Sequence, residues 1–144
     1  MKTNNNKKWI ITAVIALALF AGLYYQKSSS GSAYVSSNLT LIADAGQFKS
    51  ILEKSNGRLL VIDLYADWCA PCKVIAPILD NLAEKYSSNV DFYRVNVDQN
   101  SAVANFFKVG AIPYVVYVKN GVVVDALTGA NSAAAYENKI TKNL

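Results

Sequence analysis

The chain has 144 residues, 53% of them hydrophobic and 17% charged, which suits one packed domain plus an extra segment and excludes an intrinsically disordered protein. Of its fourteen basic side chains, three (Lys2, Lys7 and Lys8) precede residue 26, leaving eleven against ten acidic ones; this near balance excludes a nucleic-acid-binding face on the folded part. There is no histidine, so imidazole is absent as a base, a metal ligand or a pH switch.

Residues 1–8 form a basic start, and residues 9–25, WIITAVIALALFAGLYY, carry no charge. At 1.5 Å per residue a helix of this length just reaches across a bilayer. Trp9 and Tyr24-Tyr25 stand at its two ends as interfacial aromatics do, and the preceding lysines place the N-terminus in the cytoplasm. The expectation is a single transmembrane anchor with everything after Gln26 outside. A cleaved secretory signal is the alternative, with Gly31-Ser32-Ala33 supplying small residues before a cut. Both readings export the rest of the chain, to the periplasm or its equivalent. Residues 26–37, rich in Ser and Gly, read as a flexible linker.

A domain is expected over residues 38–144. It opens with a short apolar stretch, Leu39 to Ile42, then a helix from Ala45 to Lys54. Leu59 to Tyr65 is a nearly continuous apolar strand, which implies a central position covered on both faces. A helix is expected from Pro71 to Tyr86, kinked at Pro77, with Val74, Ile75, Ile78, Leu79 and Leu82 at helical spacing. Val90 to Val97 is a strand and Ser101 to Phe107 a short helix; Tyr114 to Val118 and Val122 to Leu127 form a hairpin through Asn120-Gly121. A helix from Ser132 to Lys142 closes the chain. The order gives an α/β domain with a mixed sheet.

Both cysteines lie in Trp68-Cys69-Ala70-Pro71-Cys72-Lys73, where the central strand gives way to a helix. One helical turn separates the sulfurs, close enough for a reducible ring to close. So short a ring staples almost nothing, which argues for redox chemistry over scaffolding. Half a zinc site is also present in Cys-x-x-Cys, but without histidine or a third cysteine one chain cannot complete it, and no metal or other cofactor is expected.

Five segments in register, VIDLYADWCAPCK, APILDNLAEKY, VNVDQN, AIPY and VKNG, resemble the thioredoxin family, and residues 39–144 fit its length and order. The resemblance implies the thioredoxin fold, a central sheet flanked by helices with the cysteine pair opening the second of them. Cys69 at the helix N-terminus is the expected nucleophile, since free amides and the dipole favour a thiolate there, and Pro71 suits the first helical turn. Cys72 is the expected resolving thiol. Burial of Asp63 in an apolar strand would raise its pKa, and the resemblance implies that it moves the proton of Cys72; the alternative is a side chain that reaches a sheet edge or a surface lysine. Arg94 stands about where the family carries a lysine near that aspartate; paired with it, a guanidinium would hold the acid ionised.

The resemblance also implies a cis peptide at Ile112-Pro113 facing the cysteines, with the backbone before the proline available to a substrate segment. Tyr114 stands where the family usually has threonine and Ala70 where it has glycine; both changes touch the docking surface. Trp68 is expected to pack beside the site and shield Cys69, with a core aromatic as the alternative. Lys73 adds positive potential near the thiolate or is simply a solvated helix lysine. With no histidine between the cysteines, Ala70-Pro71 argues for a reducing pair. An exported reductase needs electrons brought across the membrane, so a membrane-embedded thiol donor is the expected partner and disulfide-containing exported proteins are the substrates. A disulfide oxidase or isomerase, and a tethered binding module without turnover, are the alternatives.

Overall fold

The computed structural model describes residues 13, 15–19 and 38–144. The chain divides into two units, Met1–Ala33 and Tyr34–Leu144, and in the first the described residues are helical and exposed. Among the described residues no helix is long and apolar enough to cross a membrane. The anchor expected at 9–25 falls largely outside those residues, and the 26–37 linker falls wholly outside them.

The second unit runs β1 (Thr40–Leu41), α1 (Ala45–Lys54), β2 (Leu59–Tyr65), α2 (Ala70–Lys85), β3 (Val90–Asn96), α3 (Ser101–Phe106), β4 (Tyr114–Lys119), β5 (Val122–Thr128) and α4 (Ala133–Asn143). The strands form one sheet in the order β1-β3-β2-β4-β5. β1 and β2 lie parallel to β3, while β4 runs antiparallel to β2 and to β5. This is the mixed α/β sheet that the element order implies.

β2 lies at the centre, and its side chains alternate between two cores. Leu59 and Val61 pack with Ile75, Leu79, Val115, Tyr117, Tyr136 and Ile140 on one face. Leu60, Ile62 and Leu64 pack with Ile42, Phe48, Val95, Val103 and Val116 on the other. Two covered faces explain why the strand reads as continuously apolar. Asp63 is the exception in it, 1% exposed on the face of Leu59 and Val61.

Local chemistry sets the boundaries. Asp44 caps α1 by accepting from the Gln47 amide, and Ser132 caps α4 by accepting from the Ala135 amide. The β4–β5 turn places Asn120 at φ 54° and Gly121 at φ 74°, the left-handed pair that a two-residue hairpin requires. β1 is shorter than the apolar stretch suggests: only Thr40 and Leu41 stand in register with β3, and Ile42 adds a single bond from its amide to the Arg94 carbonyl at 2.9 Å. Pro77 removes one helical hydrogen bond, yet it lies exposed within α2, which runs on to Lys85.

Candidate functional site

The site is built where β2 ends and α2 begins. Cys69 is extended, at φ −76° and ψ 100°, and serves as the N-cap of α2. Its Sγ accepts a hydrogen bond from the Cys72 amide at 3.2 Å, so one of the free donors of the first turn points at sulfur. The helix therefore starts at Ala70, one residue earlier than the periodicity suggests, with Pro71 in its first turn. Cys69 and Cys72 form a disulfide, S–S 2.01 Å and Cα–Cα 5.3 Å. Both cysteines are buried with Ala66, and Tyr65, Val97 and Ile112 pack against the three.

On β2, six residues before Cys69, Asp63 lies in register with Arg94 of β3 and Val115 of β4. Neither carboxylate oxygen has a hydrogen-bond partner. Burial pushes the Asp63 carboxyl up to about 7, and the positive charge of Arg94 opposes that rise. Arg94 therefore does not hold the acid firmly ionised, as pairing with a guanidinium would suggest: Nη2 stops 3.9 Å from Asp63 Oδ2, beyond hydrogen-bond reach. Desolvation outweighs a charge that makes no bond.

Opposite the cysteines, the Ile112-Pro113 bond is cis. Pro113 is buried, Ile112 and Tyr114 are half-buried, and the Pro113 carbonyl accepts from the Gly129 amide at 2.8 Å. Gly129 holds φ 80°, a conformation open to glycine, and so joins the end of β5 to this loop.

Trp68 is 70% exposed, which rules out the core-aromatic alternative. Its indole Nε1 donates to Asp98 Oδ2 at 2.8 Å, and the side chain borders a groove of about 420 Å³ that includes Val97, Val109, Ala111 and Ile112. Ala70, Pro71 and Lys73 are exposed around the disulfide. The structure thus gathers Trp68, the cysteine pair and Ile112 in one place, while Asp63 is buried within β2 and Arg94 half-buried beside it on β3.

Two participants escape sequence reasoning. Asp98 orients Trp68, and its own amide is held by Asn96 Oδ1 at 3.0 Å. Tyr65 lays its ring against the Arg94 guanidinium, 3.7 Å from ring centre to Cζ. Tyr65 lies two residues after Asp63 and therefore on the same side of the strand; that spacing was the available signal.

Residues 39–142 match the family model described as Thioredoxin. Among curated relatives, Thioredoxin-2 of Saccharomyces cerevisiae is 40% identical over 96 residues, 67% of this chain and 90% of that protein. Thioredoxin H4 of Arabidopsis thaliana is 49% identical over 78 residues, 54% of this chain and 66% of that protein. The match to Thioredoxin-T of Drosophila melanogaster spans only 48% of that protein's length. Among solved structures, Fasciola hepatica thioredoxin superposes with a TM-score of 0.70 at 36% identity, over 74% of this chain and 100% of that one. With the fold, the cysteine pair and the sequence in agreement over residues 39–142, the chain belongs to the thioredoxin family.

Proposed function

We propose that this thioredoxin-like disulfide oxidoreductase works in the reducing direction, on protein disulfides at the outer side of a membrane. The observation that carries the reading is the Cys69–Cys72 disulfide at the N-terminus of α2, with the Cys72 amide donating to Cys69 Sγ. A donor aimed at that sulfur favours the thiolate once the disulfide is reduced.

The reduced protein starts with a Cys69 thiolate and a Cys72 thiol. The thiolate attacks one sulfur of a substrate disulfide; that bond breaks, and one substrate thiolate leaves and takes a proton from solvent. Cys72 then passes its proton to the Asp63 carboxylate and attacks Cys69 Sγ. The mixed disulfide breaks, the second substrate sulfur leaves, and two electrons have passed to the substrate. The protein is left as the Cys69–Cys72 disulfide. A carboxyl raised to about 7 can accept and return a proton near neutral pH, as a general base must.

Trp68, Ile112, Pro113 and Tyr114 form the substrate-docking surface. An extended segment laid along it meets the exposed indole on one side and the backbone before the cis proline on the other. Ala70-Pro71 between the cysteines, in a chain without histidine, supports reduction over oxidation. The uncharged run at 9–25 supports an anchor whose export of the domain calls for a membrane-embedded thiol donor to return Cys69 and Cys72 to the dithiol.

The test is Cys72→Ser in the full chain, recovered from membranes. Mixed disulfides between Cys69 and exported proteins, reversed by a small thiol, are the expected result. If Cys72→Ser traps nothing while Cys69 stays reactive, the reductase reading fails and a tethered binding module takes its place.

A further inference from the structure

We propose that Tyr65 is a positioning residue, whose ring holds the Arg94 guanidinium beside Asp63 so that its charge acts on the buried acid through space. Its catalytic meaning rests on the reading of Asp63 as the proton acceptor for Cys72.

The guanidinium lies where no hydrogen bond keeps it. Arg94 Nε is buried without a partner, as are both Asp63 oxygens, and Nη2 lies 3.9 Å from Oδ2, too far to donate. An arginine side chain has several rotatable bonds and a strong preference for water around its head. What opposes that preference here is the Tyr65 ring, 3.7 Å from Cζ, a distance at which a planar cation stacks favourably on an aromatic face. The ring is itself fixed, because Tyr65 packs against Ala66, Cys69 and Cys72. The cysteine cluster, the ring, the guanidinium and the acid therefore form one contiguous stack.

The groups that face Asp63 from neighbouring elements are few. β3 contributes Arg94 and β4 the apolar Val115. α4 contributes Tyr136, whose hydroxyl donates to the Gly129 carbonyl and accepts from the Asn131 amide. On α2, Cys72 is held in the disulfide and Lys73 is exposed. Arg94 is thus the charge that opposes burial at Asp63, and whatever fixes Arg94 tunes the acid. Through-space action without a bond leaves the carboxyl free to gain and lose a proton near neutral pH.

The test is a double-mutant cycle read by the titration of Asp63 itself. The oxidised full-length chain carries ¹³Cγ-labelled aspartate, Asp63→Asn identifies the signal, and the midpoint is followed from about pH 4 to about pH 10. With the ring present, Arg94→Met raises the midpoint by about one pH unit or more. In a Tyr65→Leu background the same substitution moves it by less than about a third of that shift. An equal or larger shift without the ring overturns the proposal, since Arg94 then acts on Asp63 unaided. Tyr65→Phe keeps the ring and retains the full Arg94→Met shift; its loss there also overturns the proposal, because the hydroxyl and not the ring would be the holder. Tyr65→Met serves as the ring-free background if Tyr65→Leu does not fold. The titration needs no substrate, so its failure leaves the reductase reading standing, and a failed Cys72→Ser trap leaves this coupling standing.

Discussion

An aspartate with both oxygens unpartnered, 1% exposed in the central strand, costs stability whenever it is charged. Its carboxyl titrates at about 7 in the fold against 3.8 ordinarily, so the folded chain binds this proton more tightly than the unfolded one. The resulting stability is present in full below about pH 4, is lost as pH rises toward about 7, and stays lost above that, a difference on the order of 4 kcal/mol. Asp63→Asn removes the titrating group. Thermal melts are expected to show the variant gaining on the parent as pH rises from about 4 to about 8; a constant difference would contradict a raised carboxyl. The same substitution tests the proton transfer. The rate of disulfide reduction by the parent is expected to change with a midpoint near the titration of Asp63, and in Asp63→Asn that inflection disappears and the rate above neutrality falls about tenfold or more. An unchanged pH profile removes Asp63 from the mechanism.

At the scale of elements, β2 and α2 do the positioning: the strand carries Asp63 and Tyr65, and the helix begins on the cysteine pair. Leu79, fully buried on α2, belongs to the cluster that includes Val61 and Tyr136. Leu79→Ala is expected to lower unfolding free energy by about 3 kcal/mol, measured by denaturant titration. The order of these elements was legible because β2 is apolar throughout and the hairpin carries Asn120-Gly121, patterns that each have one structural meaning. The start of α2 was less legible. Cap preferences favour Ser, Thr, Asp and Asn, and here a cysteine sulfur takes that place. The Tyr65–Arg94 contact was legible only in part, since alternation puts Tyr65 on the face of Asp63 but does not tell what the β2–β3 register sets beside it. Trp68 and Asp98 meet across thirty residues of chain for the same reason.

At the scale of the whole molecule, the domain over 39–142 carries the family match, and the uncharged run at 9–25 motivates the proposed anchor. Removal of residues 1–27 is expected to release the protein from the membrane fraction while its reduction of insulin with a chemical donor stays within about twofold of the full chain. Retention on the membrane would contradict the anchor. The direction of electron flow is the central claim, and its most direct measurement is the reduction potential of the Cys69–Cys72 pair, equilibrated in a thiol-disulfide buffer. A reducing pair has a value close to that of reducing members of the family, about −270 mV; a value near about −120 mV, that of a strong disulfide oxidant, would contradict reduction as its direction.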